Sequence, residues 1–368
     1  MIPLFKVFMA DSVGEAVKDV LYSGFIGEGP KVIDFEESLK SSFKNKNVLT
    51  VNAGTSALHL AYHIAIDHFK DAEIITPSMT CTATNTPIIA NGAKIVWADV
   101  DPLTGNIDPN KIENLITNKT KAIVAVHWGG NPAKLNEIHA IAKKYDLKVI
   151  EDAAHAMGAF YKGKPIGACS DLTAFSFQAI KHLTTIDGGA LTCKSEIDYD
   201  RAKLLRWFGI DRNVKDAKDL RCEIDVKEAG YKFHMNDVNA VVGLKNIEHI
   251  DYILDEHRNN ALFYNQELSR FSNKIQVVEE EADSISSYWL YTIHLNNRDE
   301  VMAKLKDQNI MSSKVHSCNH PHTMFKNFMS NLPNTEKFEK THLCIPVGWW
   351  LSKDDRQKII ENVVRFAR

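Results

Sequence analysis

From Val149 to Ala190 the chain reads VIEDAAHAMGAFYKGKPIGACSDLTAFSFQAIKHLTTIDGGA. This stretch holds the end of one apolar run, LKVIED (147–152), a second, LTAFSF (172–177), and the start of a third, GALTCK (189–194). Short β-branched and apolar runs bounded by Gly, Ser and Asp read as strands. Upstream, EIIT (73–76), KIVWADV (94–100) and KAIVAVHW (121–128) have the same character. Helical spacing fills the gaps: TSALHLAYHIAI with Thr55 or Ser56 to cap it, a stretch opened by Asp108-Pro109, and one from Pro132 to Tyr145. Strands alternating with helices predict right-handed crossovers and a mainly parallel α/β sheet. Residues 12–22 and 31–43 predict two leading helices, and a long amphipathic helix follows Glu248. The acidic EEEAD at 279–283 reads as a solvated turn. The division expected is a large α/β unit over residues 1–245 and a smaller C-terminal α+β unit over 246–368.

Composition narrows the classes. The 368 residues carry 44 Lys and Arg against 47 Asp and Glu, a net charge of −3, with 44% apolar residues. That balance argues against a nucleic-acid or polybasic membrane surface, and no apolar run reaches the ~18 residues of a spanning helix. The N-terminus lacks the order of a signal peptide. Six scattered cysteines without a CxxC pair suit a reducing compartment, so a cytoplasmic location is expected. Gly24, Gly27 and Gly29 do not form GxGxxG, and HSCNHPH (316–322) matches no usual zinc spacing, so no metal is expected.

Three segments fall where open α/β sheets bind ligands, at strand C-termini. Asp152 ends a strand, either as a carboxylate facing a crevice or as a helix cap. Ser176 ends another, followed by a loop carrying Lys181. VNAGTSALHL (51–60) opens a helix whose free N–H groups suit a phosphate, although an ordinary capped helix explains it equally. Together, a cradle for one phosphate, a buried Asp and a following Lys match the requirements of pyridoxal phosphate.

The ordered motifs FIGEGPKVIDFEESL, NAGTSALHL, TPSMTCTATNTPI, VHWGG, EDAAHAMGA, SFQAIKHLTTIDGGA and EAGYKFHMNDVNAVVGL resemble those of the DegT-type nucleotide-sugar aminotransferases over nearly the whole chain. These are fold-type I, aspartate-aminotransferase-like pyridoxal phosphate enzymes. The resemblance implies that Lys181 holds the Schiff-base position, Asp152 partners the pyridinium, Ala154 packs on the ring and His155 meets the ring hydroxyl. Ser176, Thr55 and Ser56 fall on phosphate positions, with Gly54 allowing close approach. Cys81 stands where an aromatic residue often stacks on the ring. Lys232 stands where relatives carry an Asn that reaches the phosphate across a dimer interface, and Asn236 is a second candidate for that reach.

RWFGIDR (206–212), VHWGG (126–130), VHSCNHPHTMF and CIPVGWW resemble a subgroup acting on nucleotide-linked keto-deoxyhexoses. Arg206, Arg212, Lys232, His316 and Asn319 are its candidate polar donors, with Phe25, Trp207, Trp349 and Trp350 as candidate walls. The implied reaction moves an amino group from L-glutamate to a keto-6-deoxyhexose, favouring C-4, within a homodimer. The alternatives are a 3-keto-sugar aminotransferase, a pyridoxal phosphate-dependent sugar dehydratase and a noncatalytic cofactor-binding protein. The dehydratase relatives carry His in place of the Schiff-base Lys; here Lys181 holds that position and His182 follows it.

Overall fold

The computed structural model describes residues 1–211 and 225–368. Seven strands build the central sheet: β1 (Val48–Val51), β2 (Glu73–Pro77), β3 (Lys94–Ala98), β4 (Thr120–Val126), β5 (Lys148–Asp152), β6 (Leu172–Ser176) and β7 (Gly189–Cys193). Their spatial order is β1-β7-β6-β5-β4-β2-β3. β7 runs antiparallel to both its neighbours, and the other pairings are parallel. The mainly parallel α/β sheet expected from the run spacing is therefore the one that forms.

Strand alternation distributes side chains to two cores. In β4, Ile123 and Ala125 join one core with α2 (Pro30–Phe43), α5 (Leu135–Tyr145) and α7 (Asp237–Ile247). Ala122, Val124 and Val126 join the other, with α3 (Gly54–Ile66), α4 (Thr82–Ala90) and α6 (Glu196–Arg206). The first helix, α1 (Val13–Tyr22), packs on α7.

A separate core lies towards the C-terminus. There α8 (Ile250–Leu268), α9 (Arg298–Asp307) and α11 (Lys353–Phe366) cover an antiparallel sheet of β8 (Gln276–Val277), β9 (Tyr291–His294) and β10 (His342–Ile345). Between α9 and β10 lies α10 (Pro333–Thr341). Ile2 belongs to this core and pairs with Ile310, so the first residues of the chain sit with the last third.

Two local expectations fail. The segment opened by Asp108-Pro109 forms two single 3-10 turns, Pro109–Lys111 and Glu113–Leu115, in place of an α-helix. Asp108 closes onto the Asn110 N–H, and Pro109 and Ile112 are buried there while Leu115 and Ile116 are half-buried. So short an apolar segment gains too little from packing to offset the nucleation of an α-helix. The start of α3 is also uncapped by a hydroxyl. Its N-cap is Ala53, and the Ser56 hydroxyl donates instead to Asn52 Oδ1 at 2.7 Å.

Candidate active site

Strands β4, β5 and β6 end in Val126, Asp152 and Ser176, and these three residues line one cavity of about 350 Å³. The first turns of α3 and α4 supply Gly54, Thr55, Cys81 and Ala83, and Trp289 and His316 come in from the C-terminal third. Gly54 is required there for packing. A Cβ on it would stand 2.7 Å from Ser176 Cβ, so glycine lets the α3 N-terminus lie directly against the end of β6. That contact brings unpaired helix N–H groups beside the Ser176 hydroxyl, an arrangement suited to an anion.

Asp152 is buried, and its Oδ2 accepts a 2.6 Å hydrogen bond from Thr84 Oγ1. Its Oδ1 accepts from the Ala154 N–H at 3.1 Å and closes a turn, with no helix following. The cap reading of Asp152 therefore fails. One residue earlier, strand alternation sends Glu151 to the other face of the sheet, where it meets His127 Nε2 at 2.7 Å.

Lys181 is partly exposed as a residue, but its amine is enclosed. Burial pulls the amine down to about 8, against opposing attraction from Asp152 and Cys81. Its Nζ lies 3.7 Å from the centroid of the Trp289 ring. Burial also holds His155 well below the usual imidazole range and brings His316 down to about 4, with Lys181 adding to both shifts. Both rings are thus neutral near pH 7. His155 Nδ1 is buried with no hydrogen-bond partner among the described residues. His182, adjacent to Lys181, does not line the cavity and packs edge-on against His257 at 4.5 Å.

Several candidates lie elsewhere. Arg206 is buried in an ion-pair network with Glu28 and, at 2.8 Å, Glu36, and also donates to Thr50 O. It is neither in the cavity nor a surface pair. Asn319 is buried between Thr80 O, Asn85 Nδ2 and the Ser78 backbone, where it ties its loop to the turn before α4. In the same loop, Cys318 donates to Glu339 and His320 meets Ser78. Among the described residues, no cluster of three His, Cys, Asp or Glu side chains is placed to hold a metal.

Lys232 is exposed, with Nζ 4.3 Å from the Trp207 ring, and Asn236 caps α7. Phe25 is exposed on the surface, and Arg212 lies outside the described residues. Trp349 and Trp350 pack on Phe8 and His257 rather than in the cavity. Sequence reasoning missed Thr84 and Trp289. Thr80 and Thr84 are four residues apart and share a bond at 2.7 Å, a spacing that was readable. Trp289, inside the apolar SYWLYT, carried no signal.

The model of the DegT/DnrJ/EryC1/StrS aminotransferase family matches residues 9–364. The chain belongs to this family. The sugar aminotransferase CalS13 of Micromonospora echinospora is 37% identical, with a TM-score of 0.95 over 99% of this chain and 100% of that one. The spore coat polysaccharide biosynthesis protein SpsC of Bacillus subtilis is 33% identical over 95% of this chain and 92% of its own length. Spr1654 of Streptococcus pneumoniae, assigned as a sugar aminotransferase and solved in PMP and PLP forms, is 26% identical, with TM-scores of 0.91 and 0.90. In those two forms it covers 100% and 99% of this chain, and 99% and 98% of its own. The protein is a pyridoxal phosphate-dependent sugar aminotransferase of fold-type I.

The cavity fits that cofactor. It offers helix N–H groups and a hydroxyl for a phosphate, a buried carboxylate for a ring nitrogen, and a partly neutral amine for a carbonyl carbon. Among the described residues, His155 Nδ1 is a buried polar atom still lacking a partner.

Proposed function

We propose that this enzyme transfers the amino group of L-glutamate to C-4 of a nucleotide-linked 4-keto-6-deoxyhexose, acting as a cytoplasmic homodimer. The observation that carries amino transfer is the enclosed Lys181 amine, lowered to about 8, in the same cavity as Asp152. At pH 7.5 such an amine is about one-quarter neutral, against roughly one part in a thousand at a pKa of ~10.4. Lys181 Nζ can therefore accept the proton leaving the substrate carbon and return it on the other side of the transfer.

When bound, pyridoxal phosphate supplies a ring that stabilises negative charge on that carbon. Gly54, Thr55 and Ser176 would hold its phosphate, Asp152 would keep a proton on the ring nitrogen, and His155 Nδ1 would meet the ring oxygen. Ala154 and Cys81 would flank the ring. Thr84 fixes the Asp152 carboxylate by its hydrogen bond. Trp289 and His316, from the C-terminal third, line the cavity and would restrict water there.

The keto-sugar reading draws on the motif resemblance and on relatives described as a sugar aminotransferase and a polysaccharide biosynthesis protein. Dimerisation is supported by the apolar residues Leu21, Tyr22, Phe25, Ile26 and Ile33, all exposed around the α1–α2 connection. Lys232 and Asn236 would then serve the partner's phosphate. The dehydratase alternative is disfavoured because Lys181 lines the cavity and His182 does not.

The test incubates the purified enzyme with L-glutamate and a panel of nucleotide-linked 4-keto and 3-keto sugars, following 2-oxoglutarate and product mass. Release of 2-oxoglutarate with 4-keto sugars alone is expected. Reaction with 3-keto sugars alone overturns the position, and sugar consumption without 2-oxoglutarate overturns amino transfer.

A further inference from the structure

Trp289 touches three parts of the cavity wall at once. It is almost fully buried, and its indole Nε1 donates to the carbonyl of Ile180 at 2.9 Å, the residue before Lys181. The His155 ring stacks on it at 3.8 Å with planes 20° apart, and Phe5 stacks at 4.9 Å. Lys181 Nζ lies 3.7 Å from its ring centroid.

The loop bearing Trp289 is itself fixed. Ser287 Oγ donates to His155 O at 2.8 Å, Ser287 N to Gly130 O at 3.2 Å, and Leu290 N to Gly129 O at 3.2 Å. Gly130 has φ of 96°, and a Cβ there would lie 2.3 Å from Ser287 Oγ. The paired glycines of VHWGG therefore admit this loop against the turn that follows β4, which gives the motif a use the substrate reading did not supply.

An amine that is released from a carbonyl and takes it back needs a defined place while free. We propose that Trp289 is the positioning residue that holds the free ε-amine of Lys181, its indole face taking the amine while its N–H pins the loop. This rests on the role given to Lys181 above. A π face within about 6 Å favours the ammonium form and fixes its direction, most strongly for indole. The titratable groups acting on the amine or affected by it are Asp152, Cys81, His155, His182 and His316. A substitution at Trp289 removes none of these five groups, and W289F keeps a ring for His155 to stack on.

The test follows pyridoxal phosphate uptake by cofactor-free protein across pH 6–10, reading the absorbance of the lysine-bound cofactor in wild type, W289F, W289L and K181A. Titration of the cofactor itself is common to all four and cancels. In W289L the pH midpoint is expected to fall by about half to one unit, because the ammonium loses its π partner. The plateau rate is expected to fall about tenfold, from misplacement of the amine. W289F, which keeps a face but loses the N–H, should retain most of the wild-type midpoint. A purely structural role would lower the plateau without moving the midpoint, so an unchanged midpoint in W289L overturns the proposal. Equal shifts in W289F and W289L also overturn it, since the lost N–H bond would then be the cause. If W289L does not fold, W289M reads the same comparison. Lysine-type absorbance in K181A would defeat the Lys181 reading itself. Its loss there, with a normal W289L midpoint, would defeat only the role of Trp289.

Discussion

The cavity around Lys181 and the buried network around Arg206 each enclose a long cationic side chain, and they treat it in opposite ways. Arg206 is clasped by two carboxylates from the N-terminal region, Glu28 and Glu36, and by the carbonyl of Thr50. Among the described residues, Lys181 has no carboxylate within ion-pair distance and rests against an indole. The first arrangement fixes charge and ties α6 to the segment around α2. The second leaves the amine able to lose its proton. An enclosed cation is therefore a strut or a reagent according to its partners, and its burial alone does not say which.

The largest expected effect breaks the reagent. K181A should lower the rate of amino transfer by at least about a thousandfold, the upper range of proton-transfer catalysis. A loss within tenfold, measured by 2-oxoglutarate release, would erase the distinction. R206A tests the strut. Removing Arg206 leaves two partly buried carboxylates without their partner, at a cost of up to about 3 kcal/mol in urea unfolding. R206M combined with E36Q should recover part of that loss.

K181M should have the reverse sign to R206A. A lysine whose folded pKa is lowered to about 8 binds fewer protons folded than unfolded, so it opposes folding at pH 7. Cofactor-free K181M should then be more stable than wild type by about 1–3 kcal/mol at pH 7. The gap should close as pH rises from about 8 to ~10.4, where the unfolded amine also becomes neutral. A K181M protein less stable than wild type at pH 7 would mean that the amine is paired after all. The smallest effect belongs to the exposed Lys46–Glu196 pair, whose side chains are 75% and 69% accessible. K46A should leave the urea midpoint unchanged, because exposed pairs contribute little.

Much of the sheet was legible in the chain. The runs at 73–76, 147–152, 172–177 and 189–194 became strands within about a residue of those bounds, because alternation and bounding turn residues report strands directly. β1 was missed. Four fully buried residues between KNKN and NAG show no period that separates a strand from any other apolar run. The start signal at Asp108-Pro109 is followed by only one short apolar face, Ile112, Leu115 and Ile116, and two 3-10 turns suffice to bury it.

In the cavity, Asp152, Ser176, Thr55, Cys81, His155 and Lys181 come together, each of them at or near a strand or helix end that the pattern marked. Arg206 and Asn319 looked just as suitable as polar donors. What places them elsewhere is a set of partners remote in sequence: Glu28 and Glu36 lie 178 and 170 residues from Arg206, and Thr80 lies 239 from Asn319.

The amino-acid sequence by itself determined the alternation of strands and helices, the order of the family motifs and the presence of one phosphate cradle, one carboxylate and one lysine at strand ends. Each of these depends on short-range periodicity or on neighbouring residues. Only the tertiary structure decided which cation is paired, which histidine faces the cavity and that Trp289 meets Lys181. Those outcomes depend on hydrogen bonds, stacking and desolvation between segments a hundred or more residues apart, set only when those segments pack together.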